Sequence, residues 1–468
     1  MLPDDVLLEI FGFFTEPLEL VTEEWQILVH VCRRWRSVVF GSPRRLNLRL
    51  LCSDRTPARD MLDVWPPLPL TIWCSGRAGS VDDIVAVLER SDRVCHIGLW
   101  DLERSDLEIF STAMQMLFPE LTVLRLLSNG ETMSALPDSF LGGSAPRLQT
   151  LAFQGISFPG LPRLLLSATQ LVSLYLHNIP HSGYISPEAI VTALSTLTHL
   201  VQLQLLFESP QSRPDPAHQR PPPTTRFVLP NLGVFHFKGD SEYVEVVVAL
   251  IDAPQLEILQ TTLFNDIVFN TPQLTQFISR TTIMQALQKA YVIFDGDAAA
   301  VELSSLGHGR YERLEVKIPC RELDWQVLSM EQICASCLPP LPTLDLHIHG
   351  NPHYRQHWQG NVENAHWLGL LQPFTSVKNL YLSEEIAGRI VPALQELVGV
   401  RATEVLPTLE NIFLEEGQRS GPVQEGIQQV VAVRQATNHP IAVSYQLKLH
   451  FDPPTIGSIA TDIQVQSQ

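Results

Sequence analysis

Apolar and polar residues alternate in a short pattern that recurs along the chain from residue 119 onward. The pattern is a proline, any residue, a leucine, two further residues, and then two apolar residues separated by one position. Such alternation predicts short strands with one apolar face, each entered through the proline. The copies with the proline are PELTVLRL (119–126), PRLQTLAF (146–153), PNLGVFHF (230–237), PQLEILQT (254–261) and PTLENIFL (407–414). Further copies are LVSLYL (171–176), LVQLQL (200–205), VKNLYL (377–382) and the looser PTLDLHIH (342–349).

Helix-like stretches lie between these copies, for example at 187–197 and 243–251. The first leucines of successive copies stand at 121, 148, 171, 200, 232 and 256. Units of one strand and one helix at this spacing match the leucine-rich-repeat pattern, in which neighbouring units stack into a solenoid. The alternative is a doubly wound α/β domain, whose strands read as continuous apolar runs. Polar residues at every second place, such as Ser173 and Gln202, favour the solenoid.

The first 40 residues carry a helical periodicity instead. Val6, Leu7, Ile10, Phe11 and Phe14 recur at spacings of three and four, which predicts a helix. A second helix is predicted over 23–40, before a Ser-Pro pair that ends it. A unit of this size is too small to bury all of its aromatic side chains alone. The surplus must cover either the rest of the chain, as a helical cap, or a partner.

Three motifs follow one another in this segment: Leu2-Pro3, the Leu7…Ile10-Phe11 spacing, and VCRRW at 31–35. Together they resemble the F-box, a helical module that docks a protein onto a Skp-type adaptor and through it onto a cullin ubiquitin ligase. The layout of most of the chain, including 235–281, is similar to the large F-box families of mushroom-forming fungi. The resemblance implies an adaptor surface, or a core supporting it, formed by Leu2, Pro3, Leu7, Ile10, Phe11, Val31, Cys32, Trp35 and Val38.

The predicted organisation has four parts. An F-box-like helical domain covers 1–46, a linker with the first solenoid units covers 47–118, a degenerate leucine-rich-repeat solenoid covers 119–451, and a tail covers 452–468. The linker is predicted to hold strands at 68–73 and 94–100 with a helix at 81–89 between them. Six prolines at 209–226 predict a loop insertion, with a docking site for a proline-binding partner as the alternative.

Composition narrows the class of protein. Hydrophobic residues at 45% and charged residues at 18% of 468 indicate an ordered chain. The net charge of −18 argues against a nucleic-acid binder, which needs a basic face. Asp4 and Asp5 stand where a signal peptide is positively charged, and the densest apolar run is too short to span a bilayer. Seven cysteines do not form a disulfide framework, so we expect a cytoplasmic or nuclear protein with no membrane partner.

One motif invites a chemical interpretation. Cys334 and Cys337 form a Cys-x-x-Cys pair, which is typical of a metal site or a redox motif, and it is followed by His347, His349, His353, His357 and His366. A zinc site would need two more ligands, and these histidines are not spaced like those of a zinc finger. Phosphate-binding loops, hydrolase elbows and kinase motifs do not occur in the sequence. We therefore expect two ordinary cysteines, no metal, no cofactor and no enzymatic activity.

These features predict a substrate-recognition subunit that brings a protein target to a ubiquitin ligase. The alternative is a leucine-rich-repeat interaction scaffold that kept an F-box-like cap but joins no ligase. In either case the target, whose identity the sequence does not give, is expected to contact outward residues of the strand face. Those residues are Arg125, Gln149, Ser173, Tyr175, Gln202, Gln204 and His236.

Overall fold

A computed structural model describes most of the chain in two compact units, residues 2–281 and 287–446. The interior of the proline-rich stretch, the segment between the first two helices, the predicted tail and Cys337 lie outside the described residues. The described ranges are 2–15, 25–43, 45–53, 62–76, 80–128, 135–210, 226–264, 271–281, 287–305, 312–336, 343–351, 362–418 and 420–446.

The first unit begins with three short helices, Asp4–Thr15 (α1), Trp25–Val31 (α2) and Arg33–Gly41 (α3). The prediction of one helix over 23–40 is therefore wrong, because the chain breaks at Cys32. Cys32 is extended (φ −159°, ψ 167°), and its Sγ accepts a hydrogen bond from the Trp35 N–H at 3.4 Å. A side chain that caps a new helix in this way competes with continuation of the old one.

In the described chain, nine parallel strands of the first unit pair in the order in which they follow one another. A doubly wound sheet would reverse this order at a switch point, so the strand order excludes that alternative. The nine strands are Leu50–Ser53 (β1), Leu70–Ser75 (β2), Val94–Leu102 (β3), Val123–Ser128 (β4), Thr150–Gln154 (β5), Ser173–Ile179 (β6), Gln202–Phe207 (β7), Val234–Gly239 (β9) and Ile258–Leu263 (β11). Phe227–Val228 (β8) and Ile251–Asp252 (β10) form a separate parallel pair.

Helices connect most of these strands and confirm the helices predicted near 81–89, 187–197 and 243–251. Ser80 and Ser186 accept the N–H groups of Asp83 and Ala189, so a serine caps the N-terminus of two of the helices. The helices are Val81–Leu88 (α4), Arg104–Ala113 (α5), Leu161–Ser167 (α6), Pro187–Leu194 (α7), Ser241–Leu250 (α8) and Pro272–Arg280 (α9).

The repeat proline lies in a tight turn before each strand, and the prediction that it begins the strand is wrong. The Leu121 N–H donates to the Phe118 carbonyl at 3.2 Å, and Leu148 repeats this with Ala145 at 3.2 Å. The proline between each pair is the second residue of a four-residue turn, where its fixed φ is favourable. The leucine that closes the turn is fully buried. The pattern therefore encodes a turn followed by a strand.

Alternate side chains of the strands form the core of the first unit. Burial alternates residue by residue along β4, β9 and β11. The inward residues pack against apolar residues of the helices, which include Val87, Phe110, Leu164, Leu194 and Val247. The other face of the strands carries the polar half of the pattern. It is called the outward face below.

The second unit combines three antiparallel strands with four parallel ones. Leu287–Phe294 (β12), Ala298–Ser305 (β13) and Arg313–Pro319 (β14) pair antiparallel, and β12 then pairs parallel with Asp345–Gly350 (β15). The remaining strands follow in parallel order: Asn379–Leu382 (β16), Asn411–Glu415 (β17) and Ala442–Gln446 (β18). Its helices are Leu323–Ser336 (α10), Asn364–Leu371 (α11), Glu384–Gln395 (α12) and Pro422–Ala436 (α13).

The predicted fold class is confirmed: a mixed α/β chain of strand–turn–helix repeats of the leucine-rich-repeat type. A strand is present in every one of the nine copies quoted from the sequence. The antiparallel strands were not predicted, because their segments lack the proline–leucine turn. The Asp295-Gly296 pair between β12 and β13 is a hairpin signal that could have indicated them.

Candidate functional site

Outward side chains of the first unit line up in rows that cross the sheet from strand to strand. The pairing of the strands fixes which residues are neighbours. The central row is Ser53, Trp73, Gly98, Arg125, Ala152, Tyr175, Gln204, His236 and Gln260. The flanking row is Leu51, Thr71, His96, Val123, Thr150, Ser173, Gln202, Val234 and Ile258.

The central row brings together Arg125, Tyr175, Gln204 and His236 of the residues predicted to contact a target. Ser173 and Gln202 lie in the flanking row. Gln149 does not belong to this face, because the turn that precedes β5 places it before the strand begins. Gln204 is only 3% exposed, and its Oε1 lies 2.6 Å from Nε2 of His177. Gln204 is therefore committed to a contact within the sheet and is a poor candidate for direct recognition.

The charge of this face differs from that of the whole chain. Neither row contains an aspartate or a glutamate, although the chain carries 50 of them and a net charge of −18. Arg125 is the one lysine or arginine in the two rows. Lys238 lies two residues beyond His236 on β9, outside both rows, and its Nζ is 5.6 Å from the centre of the Phe264 ring. The acidic character of the protein is thus kept off these outward rows.

A compact group that we name the arginine–tryptophan cluster occupies the outward face of β2 to β4. It consists of Trp73, Trp100, His96, Arg125 and the adjoining Arg49. The Trp73 and Trp100 rings lie 5.2 Å apart, and a Cβ added at Gly98 would stand 2.3 Å from the Trp73 ring. The absence of a side chain at Gly98 therefore allows the indole to lie over the sheet beside Arg125.

The histidine of this cluster lies in a positive field. Nη1 of Arg49 is 2.6 Å from Nε2 and 2.9 Å from Nδ1 of His96. Burial, and to a smaller extent the charges of Arg49 and Arg125, lower the pKa of His96 to about 3. The imidazole is therefore neutral at pH 7.

The outward face of the second unit is built differently, around four stacked rings. We name Tyr291, His347, Tyr381 and Phe413 the ring ladder. Their successive centroids lie 4.6, 4.1 and 4.4 Å apart, with interplanar angles of 24°, 4° and 8°. The four residues occupy one row across β12, β15, β16 and β17, so the spacing of the strands produces the stacking.

Polar side chains run beside the ring ladder. Nδ2 of Asn379 donates to Oδ1 of Asp345 at 2.7 Å, and Nδ2 of Asn411 donates to Oδ1 of Asn379 at 2.8 Å. These bonds pass from one strand to the next along the row that flanks the rings. They hold three neighbouring side chains in fixed orientations, which favours an ordered surface.

A charged cluster lies next to the ring ladder, on the antiparallel strands β13 and β14. Nη2 of Arg313 lies 3.0 Å from Oε2 of Glu302 and 2.9 Å from Oε2 of Glu315. Glu302 is 1% exposed and is paired with Tyr291 across the strands. Burial raises the pKa of Glu302 to about 7; the Arg313 charge opposes this rise, and the Glu315 charge adds to it. Burial also lowers the pKa of His347 to about 3 and that of His349 to about 4.

The N-terminal helices carry two apolar stripes. Leu7 and Phe11 form a buried stripe on α1, and the Phe11 ring lies 4.7 Å from that of Trp35. Val6, Ile10 and Phe13 form a second stripe that is 39%, 38% and 78% exposed, and we name it the α1 stripe. Of the residues implied by the F-box resemblance, those in the core are Leu7, Phe11 and Val38, Trp35 is half-buried, and those on the surface are Leu2, Pro3, Ile10, Val31 and Cys32.

Side-chain contacts hold these helices together and join them to the first repeats. Arg34 contacts the Leu2 carbonyl, and its Nη2 lies 2.7 Å from Oδ1 of Asp4. The Trp25 indole N–H donates to the Arg49 carbonyl at 3.0 Å, and its ring lies 5.2 Å from that of Trp65. The N-terminal helices are therefore packed on the repeat that follows them, with the α1 stripe left in solvent.

The cysteines and histidines considered for zinc do not converge in the described part of the chain. Cys334 is fully buried in α10, and His347 belongs to the ring ladder. Nδ1 of His366 lies 2.8 Å from Oε2 of Glu331. No group of three or more His, Cys, Asp or Glu side chains that could hold a metal ion is found among the described residues. Within the same ranges, no helix has both the length and the apolar character needed to cross a bilayer.

Comparison with known proteins gives little further information. No family model matches the chain, and no curated protein sequence matches it. Among solved structures, the chain is similar to the leucine-rich repeat-containing protein LegL7 from Legionella pneumophila. The two are 10% identical, the match covers 82% of this chain and 97% of that one, and the TM-score is 0.26. That score is too low to bear on function, and the assignment of the fold rests on the strand order described above.

Sequence reasoning missed the most ordered parts of both faces. Trp73 and Trp100 lie in segments that were predicted as strands, but the pairing of the strands was needed to bring them beside Arg125. The ring ladder did leave a signal in the sequence. His347, Tyr381 and Phe413 occupy the same place in the copies LHI, LYL and IFL, between the two apolar residues. Aromatic residues at equivalent places of stacked repeats are expected to meet.

Proposed function

We propose that this chain is a substrate-recognition subunit of a Skp-cullin-F-box type ubiquitin ligase. In this proposal the N-terminal helices bind the Skp-type adaptor, and through it a cullin, while the outward strand faces hold a protein target. The single observation that carries the proposal is the α1 stripe, an exposed apolar surface on the same helices whose sequence resembles the F-box.

The α1 stripe is more apolar surface than the fold requires. A helix at the surface of a domain needs one buried stripe, and Leu7 and Phe11 already supply it on α1. Among the described residues, 17 large apolar side chains are exposed, and six of these lie in the first 31 residues. Exposed apolar surface concentrated in this way is typical of a protein-binding site, and a partner groove for an amphipathic helix is a common binding mode.

The proposed mechanism needs no catalytic residue in this chain. Holding a target close to a charged ubiquitin-conjugating enzyme raises the effective concentration of the target lysines at the reacting thioester. The repeat strands supply a wide, rigid surface for this purpose, and the adaptor-binding helices pack directly onto the first repeat through Trp25 and Trp65. The rigid connection favours delivery of the target in a defined orientation.

The second candidate function is a leucine-rich-repeat scaffold that binds the same target without joining a ligase. The packing of Trp25 on Trp65 is compatible with this candidate too, because a helical cap on a repeat domain would make the same contact. The two functions differ in one respect only: a cap does not need the α1 stripe, whereas an adaptor-binding module does.

Co-purification of the full chain with a Skp-type adaptor tests the proposal. The informative variant is Ile10→Asp combined with Phe13→Asp, because both side chains are exposed and their replacement leaves the buried stripe intact. We expect adaptor binding to weaken by at least about tenfold. The matched control is Leu166→Asp combined with Met116→Asp, which places the same charges at exposed apolar positions away from the N-terminal helices α1 to α3. Trp35→Ala is a poorer test, because its contact with Phe11 supports the fold.

The ligase assignment stands if the adaptor binds the parent chain and the control variant but not the α1-stripe variant. Absence of adaptor binding to the folded parent chain would leave the scaffold as the function. Equal binding by all three proteins would show that the adaptor uses a different surface, and the proposed docking mode would be wrong.

A further inference from the structure

We propose that the arginine–tryptophan cluster on β2 to β4 binds an acidic segment of a protein partner, with Arg125 as the charged anchor. This inference rests on the proposed function in one respect: the acidic segment belongs to the protein target. The inference concerns a different surface from the α1 stripe, so that each can be tested without the other.

The state of Arg125 is the first argument. Its side chain is half-buried, and its Nε is buried without a hydrogen-bond partner. Within the described residues, it forms no ion pair and no hydrogen bond, whereas Arg34, Arg147 and Arg280 each pair with a carboxylate. A half-buried guanidinium without partners has lost part of its hydration and gained nothing in return. A carboxylate that reached it would form the two parallel hydrogen bonds that this group favours.

The surroundings of Arg125 supply the second argument, which is charge complementarity. The two outward rows that cross the first unit contain no acidic residue, and Arg49 adds a second guanidinium beside His96. The low pKa of His96 agrees with a site whose field is positive, since both arginines contribute to that shift after burial. Carboxylates of this chain are thus absent from the two rows, so none within them repels a carboxylate of a partner from Arg125.

The tryptophans supply the third argument. Trp73 and Trp100 pack against each other over Gly98, directly beside Arg125 in the strand register. Apolar walls exclude water from an ion pair and strengthen it by lowering the local dielectric constant. Tryptophan and arginine are also the residues most often found to dominate the energy of protein interfaces. The cluster therefore combines a charged anchor with the apolar contact area that a peptide segment needs.

A protein segment fits this surface better than a nucleic acid does. Binding of a nucleic acid requires several lysines or arginines along one face, because each neutralised phosphate adds to the affinity. Arg125 is the one such residue in the two rows, and the chain as a whole carries a charge of −18. The polar neighbours on the same face, such as Ser173 and Gln202, suit the backbone and side chains of a peptide.

Fluorescence polarisation with labelled peptides tests the proposal on the full chain. The probes are a short peptide of repeating Gly-Ser-Glu, its Gly-Ser-Gln counterpart, the Gly-Ser-Glu peptide with phosphoserine, and an oligothymidine strand. We expect the Glu peptide to bind, the Gln peptide to bind at least about tenfold more weakly, and the affinity to fall as salt rises. The phosphoserine peptide separates recognition of a carboxylate from recognition of any anionic group.

Two variants of Arg125 and one control complete the experiment. Arg125→Glu is expected to weaken binding of the Glu peptide by at least about tenfold. Arg125→Gln, which adds no new charge to the face, is expected to weaken it less and guards against failure of the reversal variant to fold. The control is Arg163→Glu, the same charge change on the exposed side of α6, which is expected to bind like the parent chain.

Three results would overturn the proposal. These are equal affinity for the Glu and Gln peptides, equal loss in Arg125→Glu and Arg163→Glu, or tighter binding of oligothymidine than of either acidic peptide. Because no adaptor is present in the assay, a negative result here leaves the ligase proposal intact. Loss of adaptor binding in the co-purification experiment likewise leaves the acidic-segment proposal intact.

Discussion

The outward faces of the two units are built from the same strand pattern but differ in whether a buried or half-buried arginine meets carboxylates of its own face. In the second unit, Nη2 of Arg313 pairs with Glu302 and Glu315, and four rings stack in one row. Nε and Nη1 of Arg313 and Oε1 of Glu302 are nevertheless buried without a hydrogen-bond partner. In the first unit, Arg125 has no such partner, and its row contains no carboxylate. A buried ion pair within a face contributes to stability, whereas an arginine that has no carboxylate within its own face is available for one from a partner.

The repeat explains why such a difference is possible. The inward residues and the turn leucine are fixed by the core, which every unit needs in order to fold. The outward positions carry no such requirement, so they can change from one unit to the next at little cost to the fold. We therefore expect substitutions of the charged outward residues to change stability in the second unit and binding in the first.

The largest effect is expected at Arg313. Arg313→Met leaves Glu302 and Glu315 in a buried site without a cation, and we expect the free energy of unfolding in urea to fall by about 3 to 4 kcal/mol. Arg147→Met, which breaks an exposed ion pair with Glu120, is the control and should cost less than about 1 kcal/mol. Similar losses of unfolding free energy for both variants would contradict the distinction between the buried ion pairs of Arg313 and an exposed surface pair.

A smaller effect is expected in the pH dependence of stability. The pKa of Glu302 is raised from 4.5 to about 7 in the folded chain, so folding binds a proton between these values. The stabilising effect of that proton is present below pH 4.5 and is lost as the pH rises through 7. Glu302→Gln should therefore gain stability relative to the parent chain over this range, by up to about 3 kcal/mol.

Urea titrations of both proteins between pH 4.5 and 8 check this prediction. The lowered pKa values of His96, His347 and His349 act in the opposite direction, since their stabilising effect is lost as the pH falls below 6.5 toward 3 or 4. They are common to both proteins and cancel in the difference. If the difference in unfolding free energy between the two proteins does not change with pH, the pKa of Glu302 is not raised by folding.

A moderate effect is expected within the ring ladder. Tyr381→Ala removes the ring that stacks on both His347 and Phe413, and we expect a loss of about 2 kcal/mol in the free energy of unfolding. Tyr175→Ala is the matched change in the first unit, where the ring of Tyr175 meets that of His177 edge-on at 6.2 Å and its hydroxyl donates to Oε1 of Gln202. Tyr175→Ala should lower the free energy of unfolding by about half as much. Equal losses would show that stacking in the ring ladder adds no extra stability.

The smallest effect on stability is expected at Arg125 itself. Arg125→Gln should change the free energy of unfolding by less than about 0.5 kcal/mol, because no ion pair or hydrogen bond is lost in the described structure. Thermal and urea unfolding of the two proteins measure this directly. A loss comparable to that of Arg313→Met would mean that Arg125 supports the fold, and the contrast between the two faces would fail.

The sequence predicted the repeating part of the fold well and the two faces poorly, and the reason is physical. Strand positions follow from local alternation, so all nine copies of the pattern contain a strand. The break at Cys32 was missed because it depends on one side-chain cap, and the antiparallel strands because no proline–leucine turn marks them. The arginine–tryptophan cluster requires the register of three strands, which single-sequence periodicity does not contain.

The predicted target-binding residues lie on the outward face where the alternation within one strand decides their position. They are poor candidates for target binding where a turn or a neighbouring strand decides it. Arg125, Tyr175 and His236 share a row because the alternation of each strand puts them outward. Gln149 does not share the face because it lies between the turn and the start of β5, and Gln204 is held by a contact with His177 on the neighbouring strand. Contacts between neighbouring strands therefore decide which outward residues are free for a partner.

Hydrogen–deuterium exchange of the full chain with and without a purified Skp-type adaptor tests the central claim most directly. We expect slower exchange in α1 and α2, around the α1 stripe, with no change in β4 to β9. Protection of the strand face with unchanged exchange in α1 would contradict it, as would the absence of any change at adaptor concentrations that saturate a known F-box protein.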